Sequence, residues 1–146
     1  MPPAFRYRLR VRYAECDAQK VVFNARYGDY IDLAATEFMR ALGYGEALLD
    51  GRLDYQLVRQ TIEWRAPAHF DDVLSISVSS PRQGNTSFSL AFEFRRAGDD
   101  VVLASAETVY VLVSPALVKT AIPDALRASL IAGAGDVVTC HAGWQP

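Results

Sequence analysis

The sequence predicts an α+β domain in which a mostly antiparallel sheet of about five strands covers one long helix. Three patterns carry that prediction. Apolar and polar residues alternate with period two over 5–13, 58–66, 74–78 and 88–94, and less strictly over 101–113. One segment, 27–42, instead spaces its apolar residues by three and four. No second long helical pattern separates the later strands, so they pair as antiparallel neighbours.

Taken in order, Phe5, Tyr7, Leu9, Val11 and Tyr13 alternate with Arg6, Arg8, Arg10 and Arg12, a strand with one buried face. The four arginines read either as an anion-binding stripe or as a solvated edge face that discourages strand-to-strand aggregation, and the edge reading is the expectation. In the helix, Tyr27, Tyr30, Ile31, Ala34, Phe38 and Leu42 form one apolar stripe, with Asp29, Asp32, Thr36 and Arg40 around the remainder. Asn24 is placed as N-cap, Asp29 and Asp32 put negative charge near the positive helix end, and Gly43 suits a left-handed C-cap.

Residues 45–54 read as a polar, glycine-containing connection. Val58, Gln60, Ile62, Trp64 and Ala66 then alternate with Arg59, Thr61, Glu63 and Arg65. Pro67 and Asp71-Asp72 interrupt, and Leu74, Ile76 and Val78 alternate with serines. Residues 81–85 make a turn before Phe88, Leu90, Phe92 and Phe94, and Gly98-Asp99-Asp100 is a hairpin signal. The strand 101–113 is apolar on both faces over much of its length, which calls for burial on both sides or cover by another subunit. Pro123 opens a short terminal helix reaching 132, and the glycine-rich residues from about 133 are expected to be loosely held.

Composition narrows the class. A chain of 146 residues with 51% apolar content makes one domain and builds a core without staples. A net charge of −2 provides no basic field for nucleic acid. No apolar run reaches the roughly 18–20 residues that span a bilayer, and the N-terminus does not read as an export signal. Cys16 and Cys140, the two cysteines, read as free thiols of a reducing compartment, so a cytoplasmic protein is expected. Two histidines, His69 and His141, and no Cys-x-x-Cys leave no case for structural zinc.

Chemistry concentrates in the loop 15–27, between first strand and helix. It holds Glu15, Cys16, Asp17 and Lys20 and then runs into the helix start. Helix-start N–H groups polarise a carbonyl, and a carboxylate folded back beside them attacks it or activates a water. An aspartate after a strand is far more often a turn former or cap.

Residues 11–27, continuing through Tyr30-Ile31 and Ala34-Ala35-Thr36-Glu37, resemble the hotdog-fold acyl-CoA thioesterases, in particular the 4-hydroxybenzoyl-CoA thioesterase-like group that includes the Tol–Pal-associated thioesterase. Supporting matches are 66–74 and 84–88, and the resemblance spans about 5–120. It implies a sheet wrapped around a long central helix, hydrolysis of an acyl-CoA thioester without a cofactor, and a homodimer or homotetramer with its acyl site between subunits. Asp17 matches the catalytic aspartate, nucleophile or general base. Asn24 matches the position whose backbone N–H polarises the thioester carbonyl. Tyr27 matches the aromatic residue opening the helix; it is carried among the substrate-binding positions, although packing accounts for it as well. Asn85, Thr86 and Ser87 match a turn near the pantetheine or nucleotide of CoA, and Arg82 is the arginine assigned to help there. Lys20 stands where relatives commonly have glycine, so it either crowds the loop or meets CoA phosphates.

For Asp17 to act it must be ionised; Glu15 works against that charge, while Lys20 and the helix dipole work for it. Glu37, on the helix, is a secondary candidate, because other hotdog branches carry a carboxylate there. A Cys16–histidine nucleophile lacks a nearby histidine in sequence, and so does a hydratase. The remaining alternative to an enzyme is a hotdog module that binds an acyl thioester without hydrolysing it.

Overall fold

The computed structural model describes residues 4–143. Residues 1–3 and 144–146, which include the N-terminal residues read above for an export signal and the end of the tail, lie outside the described residues. Among the described residues six strands and three α-helices follow in the order β1 (Phe5–Arg10), α1 (Arg26–Met39), α2 (Gly45–Asp50), β2 (Tyr55–Trp64), β3 (Val73–Ser79), β4 (Ser87–Arg96), β5 (Val102–Leu112), α3 (Asp124–Ala132) and β6 (Val138–His141). They form one sheet in the order β2-β5-β4-β3-β1-β6, antiparallel throughout except that β6 runs parallel to β1. No helix among the described residues is long and apolar enough to cross a membrane.

Helix α1 buries the stripe expected of it. Tyr27, Tyr30, Ile31, Ala34, Phe38 and Met39 face inward. Opposite lie Phe5 and Tyr7 of β1, Leu74 and Ile76 of β3, and the phenylalanines of β4. Each fully buried Ile, Leu or Phe among them contributes about 1.5–3 kcal/mol. Gly43 takes a positive φ of 98° and breaks the helix as expected, but the chain then turns into α2 over part of the segment read as connection. The first helical residue is Arg26 and the cap is Ala25; Asn24 lies one residue earlier, its carbonyl accepting the Tyr27 N–H at 3.4 Å.

Two expectations are corrected. The tail is not loose: residues 138–141 pair with β1, and Arg10 Nε donates to the Ala142 carbonyl at 3.0 Å. Consequently β1 is an interior strand, and its arginines do not guard an edge. The long open edge is β2, whose Leu57, Val58 and Trp64 remain about half exposed. A bulge between Leu57 and Arg59 resets its alternation, so that Leu57, Gln60, Ile62 and Trp64, rather than Val58, share the helix-side face.

Candidate active site

The loop between β1 and α1 is built on Glu15. A short turn at Tyr13–Glu15 buries this side chain, and its Oε1 accepts the Arg12 N–H at 2.8 Å and the Tyr30 hydroxyl at 2.9 Å. Oε2 takes the Arg12 guanidinium at 2.7 Å. Burial pushes the Glu15 carboxyl up, but the bonds from Arg12 and Tyr30 together outweigh it and hold the group below the usual glutamate value. Glu15 is therefore a charged strut between loop and helix, and its charge is already compensated.

Beyond it the chain makes a tight hairpin. Asp17 N–H donates to the Val21 carbonyl and Lys20 N–H to the Asp17 carbonyl, both at 2.9 Å, while Cys16 pairs with Val22. The loop closes because Lys20 adopts φ 61°, the left-handed conformation that normally selects glycine. That is the physical meaning of the lysine-for-glycine departure. Asp17 Oδ1 accepts the Gln19 N–H at 2.8 Å, a turn-forming bond, and the exposed carboxylate keeps its second oxygen clear of any protein donor among the described residues. Turn former and candidate nucleophile are thus one side chain using different oxygens.

The hairpin is stitched to residues 68–70. Val22 N–H bonds the Ala68 carbonyl at 2.8 Å, Phe70 N–H bonds the Lys20 carbonyl at 3.0 Å, and Val21 pairs with His69. This places His69 two strands from Asp17 on the same cross-strand row, a proximity invisible in sequence. Asp72 Oδ2 accepts the His69 backbone N–H at 2.8 Å and also meets Arg96 Nε at 3.2 Å, while the exposed His69 ring brings its Nδ1 to 3.8 Å from that oxygen. Cys16 is no thiolate: burial pushes its thiol up, and Glu15, Asp17 and Asp72 push it further.

The return strand leads directly into α1. Phe23 N–H donates to the Glu15 carbonyl at 3.0 Å, and Arg26 N–H to the Phe23 carbonyl at 2.9 Å. Between them, the N–H groups of Asn24 and Ala25 find no backbone acceptor among the described residues. Free amides at a helix start are the donors a developing oxyanion needs. Asp17 and Asn24 stand on the two arms of one hairpin, with Asn24 three residues beyond the residue that faces Asp17.

The other expected residues fall elsewhere. Tyr27 is a core residue, 1% exposed, with its ring packed against Tyr30, Trp64 and Phe94. Arg82 lies beside the 84–87 turn, and its exposed guanidinium pairs with Glu107 on β5. Arg127 of α3 also meets this turn, its Nη2 donating to the Gly84 carbonyl at 2.8 Å. Asn85, Thr86 and Ser87 are held by carbonyl bonds to Ile122 and Leu112 and by the Gly84–Ser87 turn. Within one chain this turn begins β4, whereas the Asp17 hairpin sits at the end where β4 finishes. The ten residues of β4 put the two roughly 30 Å apart at about 3.4 Å per residue. Glu37 is held by Arg40 Nε at 2.9 Å, lies 3.9 Å from His141 Nε2, and lines a cleft with Arg12, Glu15 and Arg26.

A sequence profile described as the thioesterase-like superfamily matches residues 11–130. The chain is 33% identical over 129 residues to the acyl-CoA thioester hydrolase YbgC of Escherichia coli, covering 88% of this chain and 93% of that protein. Its fold superposes on a hypothetical protein from Aquifex aeolicus with a TM-score of 0.79 at 27% identity, covering 86% and 98% of the two chains. A gentisyl-coenzyme A thioesterase superposes with a TM-score of 0.75 at 28% identity, again covering 86% of this chain and 98% of that one.

Proposed function

This chain belongs to the thioesterase-like superfamily and hydrolyses acyl-CoA thioesters, and we propose that Asp17 and the amide end of α1 perform that hydrolysis. The observation that carries the reading is the hairpin itself, which among the described residues presents a carboxylate oxygen without a donor on one arm and two N–H groups without an acceptor on the other. The amides of Asn24 and Ala25 polarise the thioester oxygen. The Asp17 carboxylate then acts as nucleophile or as general base. As nucleophile it bonds to the carbonyl carbon, expels the CoA thiolate and leaves an anhydride that water opens. As base it takes a proton from water, and the hydroxide adds instead. A thioester is weakly resonance-stabilised and has a good leaving group, so the reaction needs no resident cofactor. Removing one oxyanion donor in comparable sites costs about 3–4 kcal/mol, which makes the amides a major part of the rate enhancement.

The separation of roughly 30 Å between the two ends of β4, where Asp17 and the 84–87 turn stand, supports an acyl site completed by a second copy. Antiparallel pairing of two β2 edges would bring the turn end of one sheet to the hairpin end of the other and cover Leu57 and Trp64. Asn85, Thr86 and Ser87 then meet the CoA moiety from the neighbouring subunit, and Lys20 approaches its phosphates. The free Cys16 and Cys140 support a reducing, cytoplasmic setting.

The test is release of free CoA thiol from a panel of short, medium and aromatic acyl-CoAs. Asp17→Asn is expected to lose turnover by at least 100-fold while still binding acyl-CoA, and hydroxylamine trapping separates the anhydride route from water activation. Full turnover by Asp17→Asn would remove this carboxylate from the mechanism.

A further inference from the structure

Asp17 shares its face of the hairpin with a histidine. Cys16 pairs with Val22, and the Val22 N–H reaches the Ala68 carbonyl at 2.8 Å, so these three residues form one cross-strand row. Val22 and Ala68 are buried in the core. The adjoining row is Asp17, Val21 and His69. Alternation turns it to the opposite face, where Asp17 and His69 are exposed and Val21 is half-buried. Two strand spacings put the Asp17 and His69 backbones about 10 Å apart.

The His69 ring is oriented from its far side. Residues 68 and 70 make the bonds to the hairpin, so the His69 N–H and carbonyl point away from it. Asp72 takes both: its Oδ2 accepts the N–H at 2.8 Å, and its own N–H donates to the carbonyl at 3.1 Å. Asp72 is thereby fixed on the side of His69 opposite Asp17, and Arg96 Nε holds its carboxylate at 3.2 Å. His69 Nδ1 lies 3.8 Å from that carboxylate, which sets Nε2 on the ring edge turned towards Val21 and Asp17. A carboxylate beside Nδ1 favours the tautomer protonated there and leaves Nε2 as the basic nitrogen. The bonds that tie residues 68–70 to the hairpin are all made by backbone, so the ring is not needed to hold the loop.

We propose that His69 is the general base of the second half of the hydrolysis, with Asp17 as the nucleophile of the first. This role rests on Asp17 standing at the thioester. Asp17 Oδ2, the oxygen not bonded to Gln19, bonds to the acyl carbon. The carbon–sulfur bond breaks, its electron pair leaves on sulfur, and the CoA thiolate takes a proton from solvent. His69 Nε2 then removes a proton from a water held between the two side chains, and the hydroxide oxygen bonds to the acyl carbon of the anhydride. The bond to Oδ2 breaks, and its electron pair returns to the Asp17 carboxylate. The imidazolium passes its proton to solvent, which restores the starting state. The base belongs to this step because the thiolate leaves unaided, whereas neutral water is a poor nucleophile.

The experiment is rapid-mixing release of CoA thiol from benzoyl-CoA and hexanoyl-CoA by wild type, His69→Ala and His69→Gln. Both variants are expected to release about one thiol per site at the wild-type rate and then to turn over roughly 100-fold more slowly. Hydroxylamine should trap the accumulated anhydride as the acyl hydroxamate. Free imidazole is expected to restore the slow phase of His69→Ala and to leave the burst unchanged, which a structural role for the ring would not produce. Wild-type turnover in both variants, or slowed turnover without a burst, overturns the proposal and leaves Asp17 in place wherever Asp17→Asn is inactive. Full activity of Asp17→Asn removes the nucleophile and the role of His69 with it.

Discussion

The Tyr30 hydroxyl donates to Glu15 Oε1 across 2.9 Å of buried space, fastening the second turn of α1 to the segment that carries Asp17. Burial and the neighbouring carboxylate both push the Tyr30 phenol far above its usual value, so the bond persists through neutral and mildly alkaline pH. Tyr30→Phe leaves a buried carboxylate short of one donor, a loss of about 1.5–3 kcal/mol. The thermal midpoint is expected to drop by roughly 3–10 °C. Turnover should also fall, because the hairpin loses its register against the helix amides. A Tyr30→Phe protein that melts with the wild type would show that Arg12 alone holds the strut.

Acid should reveal the same strut. The Glu15 carboxyl lies below its usual value of about 4.3 in the folded chain. The unfolded chain therefore takes up that proton first on acidification. The stabilisation is complete above the unfolded value and is lost as pH falls through the folded one. Urea midpoints taken between about pH 6 and pH 3 should fall more steeply for wild type than for Glu15→Gln, which has no charge left to lose. Parallel curves would show that other carboxylates dominate acid unfolding.

Lys20 supplies a backbone prediction separable from its charge. At φ 61° a side chain with a Cβ costs roughly 1–2 kcal/mol, partly offset in glycine by the entropy of its unfolded chain. Lys20→Gly is expected to match wild type or gain about 1 kcal/mol, while the β-branched Lys20→Val loses about 1 kcal/mol or more. If the ammonium meets CoA phosphate, Lys20→Gly also raises KM about two- to fivefold with kcat unchanged. A gain in stability without any KM change assigns the lysine to the turn alone.

Much of this fold is legible because its periodicities are local. The α1 stripe and the β4 alternation each follow from residues a few positions apart. That Asp17 and Asn24 share one loop is legible for a similar reason, since a single hairpin carries both. What escapes is non-local. His69 reaches the Asp17 row only through pairing of residues 68–70 with residues 20–22, and Arg127 reaches the Gly84 carbonyl across 43 positions. The pairing of Arg82 with Glu107 is equally non-local, since it joins residues 25 positions apart. The bulge at Leu57 shifts the pattern of β2 by one residue, which no propensity announces.

The strand β6 is the clearest case of structure hidden in a glycine-rich tail, and its anchor is testable. Four residues of parallel ladder are a weak hold, but the Tyr7 hydroxyl lies 2.9 Å from His141 Nδ1 and the two rings meet edge to face at 5.1 Å. Burial pushes the Tyr7 phenol up, and the Glu37 carboxylate adds to it, so the phenol stays protonated and able to donate. His141→Ala removes the acceptor and the ring contact together, about 1–2 kcal/mol concentrated on one strand. Amide exchange of residues 138–141 is then expected to speed up about tenfold, since opening β6 need not unfold the rest. Amides of α1 should exchange at their wild-type rates. His141→Phe, which keeps an aromatic ring and loses only the hydrogen bond, should fall between the two. Equal acceleration in α1 and β6 would mean that the strand unfolds only with the whole domain.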